Sequence, residues 1–149
     1  MSKFAGVSIL LLRLSLGWVF LYSGISKIMS GTWSAAFYLK DPQTFPTFFK
    51  WFALPENIGW VTLLNEWGML LIGISLITGA LVRWSSIAGA VMVLLYYLPI
   101  LKFPYAGEHS YIVDDHIVYM FVFIMFAAVR AGEYYGLDKY ICRSKKNLY

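Results

Sequence analysis

Apolar residues gather in four runs, at about 4–28, 58–82, 84–101 and 112–131. Each is long enough to cross a hydrocarbon layer of about 30 Å as a helix. The chain has little else to build with: 60% of its 149 residues are hydrophobic and 13% are charged. Ordinary soluble domains hold about 45–50% apolar and about 25% charged residues. With a mean hydropathy of +0.66, the expected fold class is all-α integral membrane. The length leaves room for one domain over residues 1–149, a four-transmembrane-helix bundle with no second domain. Lys3 before the first run resembles a signal peptide. Arg13 interrupts that run, the run is too long, and no small-x-small cleavage site follows, so it is expected to remain a span.

An even number of spans returns both termini to one side. That side would hold Lys3, Arg83, Arg130, Lys139, Arg143, Lys145 and Lys146, with Val82-Arg83 as a tight turn between spans two and three. The other side would hold Lys27, Lys40, Lys50 and Lys102 beside Asp41, Glu56, Glu108, Asp114 and Asp115. The excess of Lys and Arg predicts a multi-pass protein of the cell membrane with both termini cytoplasmic. The scattered positive charges, net +4, make no nucleic-acid footprint. The loop of residues 30–60 is rich in aromatics, including Trp33, Phe37, Tyr38, Phe48, Phe49, Trp51 and Trp60. Pro46 after Thr44 predicts a short helix through about Ala53. This aromatic-rich interfacial segment between helices 1 and 2 is expected in the outer headgroup layer. A lid over a lipid-facing pocket is the sharper alternative.

Within this apolar frame the stretch LLNEWGMLLIG places Asn65 and Glu66 in the second span. An ionised group near the bilayer centre costs at least about 2.5–3.5 kcal/mol, so a partner is required. Counting 1.5 Å per residue from the edges of the runs puts Glu66 roughly 12 Å below the outer face and Arg13 roughly 14 Å above the inner one. The expected partner of Glu66 is therefore Arg13. Arg13, Gly17, Phe20, Gly24 and Lys27 form one helical stripe, and Gly59, Thr62, Glu66 and Gly73 form another. Gly17, Gly24 and the Ser85-x-x-x-Gly89 spacing favour close helix contacts. In the fourth span Asp115, His116, Tyr119 and Phe123 gather toward the outer end. These stripes would enclose a cavity lined by Arg13, Tyr22, Lys27, Asn65, Glu66 and His116. The competing reading makes the Arg–Glu pair a structural tie between helices, and His116 an interfacial residue capped by its neighbours.

Other chemistries find less support. EHSYIVDDH offers Glu108, His109, Asp114, Asp115 and His116, but its spacing matches no compact metal motif. No metal or haem is expected. One cysteine, Cys142, excludes an intrachain disulfide and a CxxC redox pair. There is no glycine-rich phosphate loop, nucleophile–base signature or dinucleotide-binding pattern.

Four stretches in order, LLRLSLGWVFLYSGISKI (11–28), EWGMLLIGISLITGALVRW (66–84), DDHIVYMFVF (114–123) and RAGEYYGLDKYI (130–141), resemble the DoxX family of small membrane proteins. That family includes the DoxD subunits of thiosulfate:quinone oxidoreductase. The family's arginine and F-x-x-G-x-x-K stretch fall on Arg13, Gly17, Phe20, Gly24 and Lys27; its acidic residue falls on Glu66, with Gly68 and Gly73. The closing G-x-x-x-G-L-D falls on Gly132, Gly136, Leu137 and Asp138. The resemblance implies a four-helix membrane bundle in a quinone-linked oxidoreductase complex, acting only with a redox partner subunit. On this reading a quinone or similar lipid-soluble ligand binds between the helices. Glu66 and His116 would exchange protons with it, and Arg13, Tyr22, Lys27, Asn65, Asp115 and Tyr119 would line its site. A homo-oligomer is compatible with this reading. The alternative is a non-catalytic membrane scaffold or assembly factor for a partner redox protein.

Overall fold

Helix termini are set by local chemistry in the computed structural model, which describes residues 3–106 and 110–140. Six α-helices follow in order: α1 (Lys3–Ser30), α2 (Ala36–Leu39), α3 (Pro46–Phe52), α4 (Pro55–Thr78), α5 (Val82–Ile100) and α6 (Asp115–Val129). A 3-10 turn, Ala131–Glu133, follows α6. Pro46 and Pro55 each occupy a first helical turn, where the missing N–H costs nothing. Gly79 ends α4 with φ of 75°, a left-handed conformation that glycine adopts without strain. Asp114 caps α6 by accepting from Ile117 N at 3.2 Å. No β-strand occurs among the described residues; Lys102–Tyr105 and Tyr105–Tyr111 form isolated bridges.

Three helices, α1, α4 and α5, are long and apolar enough to cross a membrane. The fourth expected span is shorter than the apolar run 112–131 suggested. α6 has 15 residues, about 22 Å at 1.5 Å per residue, because Asp114 caps one end and Arg130 turns left-handed at the other. The tight turn also lies earlier than expected. It occupies residues 79–81, and Val82 and Arg83 already belong to α5.

α1 and α4 run antiparallel at close range, and their glycines set the register. A Cβ on Gly17 would stand 2.9 Å from Leu76 Cβ, and one on Gly24 would stand 2.6 Å from Leu70 N. From the other side, Gly73 faces the Leu21 backbone. Small residues at these crossings let the backbones approach, as the spacing predicted for Gly17 and Gly24. Gly89 of α5 receives the Phe123 ring of α6 in the same way. Phe123 meets Phe20 edge to face at 5.0 Å, joining the two helix pairs through the main core of Leu16, Phe20, Ile72, Leu76, Val93 and Phe126.

The loop between α1 and α4 builds a second apolar cluster from Ala35, Leu39, Phe49 and Val61. It is tied down by Ala35 N donating to Thr62 Oγ1 at 3.2 Å and Gln43 N donating to Pro99 O at 2.8 Å. Phe49 is buried, whereas Phe45, Phe48 and Trp51 are exposed.

Candidate functional site

Arg13 and Glu66 do not form the pair that their counted depths suggested. The register that sets Gly24 against Leu70 and Gly17 against Leu76 brings Arg13 level with the end of α4. Gly79, beside the Arg13 guanidinium, lies about 20 Å along α4 from Glu66 at 1.5 Å per residue. The depth count failed because α1 runs some three turns past the end of α4. There the C-terminal segment clothes it, with Gly6 facing the Tyr134 and Tyr135 rings. The edge of an apolar run is thus not the edge of the packed helices.

Arg13 is instead caged by backbone. It is 1% exposed and donates to Ala131 O at 2.8 Å, Tyr134 O at 3.1 Å and Tyr135 O at 3.4 Å. Asp138 supplies an attractive charge nearby. The Asp138 carboxylate also caps α5, accepting from Leu81 N at 2.7 Å and Val82 N at 3.0 Å. Its own N–H donates to Gly79 O at 2.9 Å. Gly132 and Gly136 leave no room for a side chain between these groups. The segment from Ala131 to Asp138 is therefore a latch that clamps the α4–α5 turn and pairs both terminal nitrogens of Arg13, whose Nε stays buried without a partner among the described residues.

The charge that attracts Glu66 is Lys27, at the opposite end of α1. Lys27 Nζ donates to the Tyr96 hydroxyl at 2.8 Å and to Met69 Sδ at 3.2 Å, and lies 4.0 Å from the centre of the Trp33 ring. A hydroxyl, a polarisable sulfur and an aromatic face together replace part of the water an ammonium loses here. Tyr96 stacks on His116 with ring centres 6.1 Å apart, and meets Tyr38 edge to face at 5.0 Å. His116 Nδ1 donates to Asp114 Oδ2 at 2.6 Å. That bond leaves Nε2 of the neutral ring as an acceptor. A connected polar cluster thus runs from α4 through α1 and α5 to α6.

Lys27 and His116 meet through Tyr96, and Glu66 acts on Lys27 by its charge; Arg13 lies at the other end of the bundle. Tyr22 faces away from the bundle, 63% exposed and stacked on Trp18 at 6.4 Å. Asp115 is exposed, and Asp114 rather than Asp115 holds His116. Tyr119 is partly buried against the main core. Trp33, Met69, Tyr96 and Asp114 complete the cluster. Tyr96 carries no sequence signal of its own, since it stands among apolar residues beside a second tyrosine. Glu108, His109 and Cys142, and with them the metal reading and the basic residues at 143, 145 and 146, lie outside the described residues.

Asn65 opens onto a different space. A cavity of about 890 Å³ lies between α4 and α5, from Tyr38, Phe49 and Phe52 at one end to Thr78, Leu81 and Trp84 at the other. Its walls are almost wholly apolar, with Leu64, Leu71, Ala88, Val91 and Leu95 along its length. Asn65 and Tyr96 line it near the loop end, so the polar cluster meets the groove there. Asn65 Nδ2 donates to Val61 O at 3.4 Å, while its Oδ1 is buried without a partner. The groove follows α4 and α5 over much of their length, with Ser75, Thr78 and Ser85 toward the end opposite Asn65, and its mainly apolar lining suits an extended apolar molecule.

The DoxX family model matches residues 8–100 of the chain. The match spans α1 to α5, with Arg13, Lys27, Glu66 and Tyr96, and ends before α6 and the latch. No curated protein and no solved structure matches it.

Proposed function

The chain belongs to the DoxX family, and from that premise we propose that it is a membrane subunit of a redox complex that binds a quinone in the α4–α5 groove. The single observation that carries this reading is the groove itself. It is an apolar cavity of about 890 Å³ lined near its loop end by Asn65 and Tyr96, with Lys27 and His116 in contact with Tyr96 and the charge of Glu66 acting on Lys27. An isoprenoid tail fits the apolar length, and the ring belongs at the polar end. Reduction of the ring takes two electrons and two protons. The electrons would come from a partner redox subunit, because this chain carries no thiol pair or cofactor motif. Glu66 and His116 would supply or accept the protons, with Lys27 and Tyr96 holding them in place.

In the bilayer, α6 would complete a four-span bundle, with Phe45, Phe48 and Trp51 of the loop in the outer headgroup layer. Both termini would be cytoplasmic in the cell membrane, and Phe49 and Phe52 would close the loop end of the groove. A relation to the DoxD subunits belongs to this same proposal.

Replacing Ala88, whose small side chain lines the groove, with phenylalanine tests the reading. Quinone extracted from the purified protein is measured by mass spectrometry, beside the amount of complex assembled and its quinone turnover. Ala88→Phe is expected to lower bound quinone and turnover at least about tenfold with assembly unchanged, since the new ring occupies the ligand's path. Glu66→Gln should retain quinone but lose turnover, by about 100-fold if it handles protons. Wild-type protein carrying phospholipid and no quinone would leave the scaffold role in its place.

A further inference from the structure

A second cavity lies at the opposite end of the bundle from Lys27, between the first turns of α1 and the latch. It measures about 590 Å³, with Lys3, Gly6, Tyr134, Tyr135, Lys139 and Tyr140 among its walls. The latch side is held in place from behind. Arg13 binds the carbonyls of Tyr134 and Tyr135, and Leu137 N donates to Thr78 O at 3.3 Å. Across from it Gly6 presents only hydrogen, where a Cβ would already touch the Tyr135 ring at 3.5 Å.

The charge around this cavity is positive. Lys3 and Lys139 are exposed, and neither has an ion-pair partner among the described residues. The neighbouring carboxylates are engaged. Glu133, which also lines the cavity, stands 3.6 Å from Arg130, and Asp138 accepts from Leu81 N and Val82 N. An ammonium on a flexible four-carbon stem can swing to meet an anion, and basic pockets at the ends of membrane helices suit phosphate headgroups. The helix below says what carries the phosphate. Val7, Leu11, Leu14 and Trp18 recur every three or four residues on the face of Lys3, and all four are exposed. α1 is long and apolar enough to cross a membrane. An anion with hydrocarbon chains can use both the cavity and this stripe, whereas a soluble phosphate or an acidic peptide uses only the cavity.

We propose that this cavity binds the headgroup of an anionic phospholipid, with Lys3 and Lys139 at its phosphate and its acyl chains along Val7, Leu11, Leu14 and Trp18. The proposal stands whether or not a quinone occupies the α4–α5 groove.

The test titrates the full chain, in a neutral detergent, with dioleoyl phosphatidylglycerol or dioleoyl phosphatidylcholine, and counts bound lipid by native mass spectrometry. The second lipid has the same chains and phosphate, but its choline cation would meet a lysine. Wild-type protein should bind phosphatidylglycerol at least about tenfold more tightly, since each nearby lysine contributes about fivefold. Lys3→Gln with Lys139→Gln should bring the two lipids to similar affinity. Arg83→Gln, exposed but absent from the cavity walls, should leave the preference within about twofold. Equal wild-type affinities would overturn the site, and that comparison needs no variant. A preference lost as far in Arg83→Gln as in Lys3→Gln alone would belong to a diffuse basic surface and overturn the assignment to the cavity. Glycerol phosphate, the headgroup anion without chains, should not displace phosphatidylglycerol at equal concentration. Displacement would assign the cavity to a soluble phosphate and overturn the lipid.

Discussion

Arg13 and Lys27 lie on one stripe of one helix, yet their surroundings give them opposite tasks. Arg13 spends its donors on three backbone carbonyls, which is a structural use of charge. Lys27 instead faces side chains, donating to the Tyr96 hydroxyl and lying within reach of the Glu66 charge. Replacing Arg13 by methionine strands those carbonyls, at about 1–3 kcal/mol for each buried group left unpaired. The thermal stability of the purified protein should fall accordingly. A double-mutant cycle with Asp138→Asn should show coupling of at least about 0.5 kcal/mol, because both side chains belong to the latch. The cycle of Arg13→Met with Glu66→Met should be additive within about 0.5 kcal/mol, as expected for sites far apart with no shared partner. Coupling in the second cycle and none in the first would reverse the assignment of partners.

At the scale of elements, the two helix pairs are built differently. α1 and α4 interlock through reciprocal glycines, Gly24 against Leu70 and Gly73 against Leu21. α4 and α5 are joined by a three-residue turn yet diverge around the groove. The first contact resists substitution and the second tolerates it. Gly24→Leu would drive a side chain into the Leu70 backbone, which cannot move aside as a flexible side chain can. A loss of about 1–3 kcal/mol or more is expected from such overpacking. It is read as a fall in the unfolding midpoint in detergent, whereas Ala88→Phe should leave that midpoint nearly unchanged. Equal falls for the two variants would mean that α4 and α5 pack as tightly as α1 and α4.

Across the whole molecule, the helical class was legible because apolar runs of this length allow few alternatives, and the glycine crossings followed from spacing within single helices. The pairing of Arg13 with Glu66 was misread for a physical reason. Periodicity fixes which residues share a face, but the vertical offset between helices depends on which side chains interlock. That offset came from Gly17, Gly24 and Gly73 meeting particular residues on the opposing helix, which no single run of sequence displays. The latch was visible only as a resemblance, since the reach from Asp138 to Leu81 N spans 57 positions. Asn65 and Glu66 were conspicuous as polar residues in an apolar run. Tyr96 was not, because an aromatic beside apolar residues reads as packing.

The distance along the chain between Arg13 and its cage also has a meaning in time. The carbonyl of Ala131 lies 118 residues downstream, and a ribosome adding about 5–20 residues per second needs about 6–24 s to reach it. Throughout that interval the guanidinium has no completed cage, and the newborn first helix must wait with its charge near lipid headgroups or water. Closure of the cage therefore waits for residues 131–135 to be made, and a chain interrupted before them leaves this one arginine without its carbonyl partners. A chain stopped after Arg130 should be cleared several-fold faster than the full-length protein in a pulse-chase measurement, although its helices α1 to α6 are all present. Equal lifetimes would mean that the first helix does not depend on the carbonyls of residues 131–135.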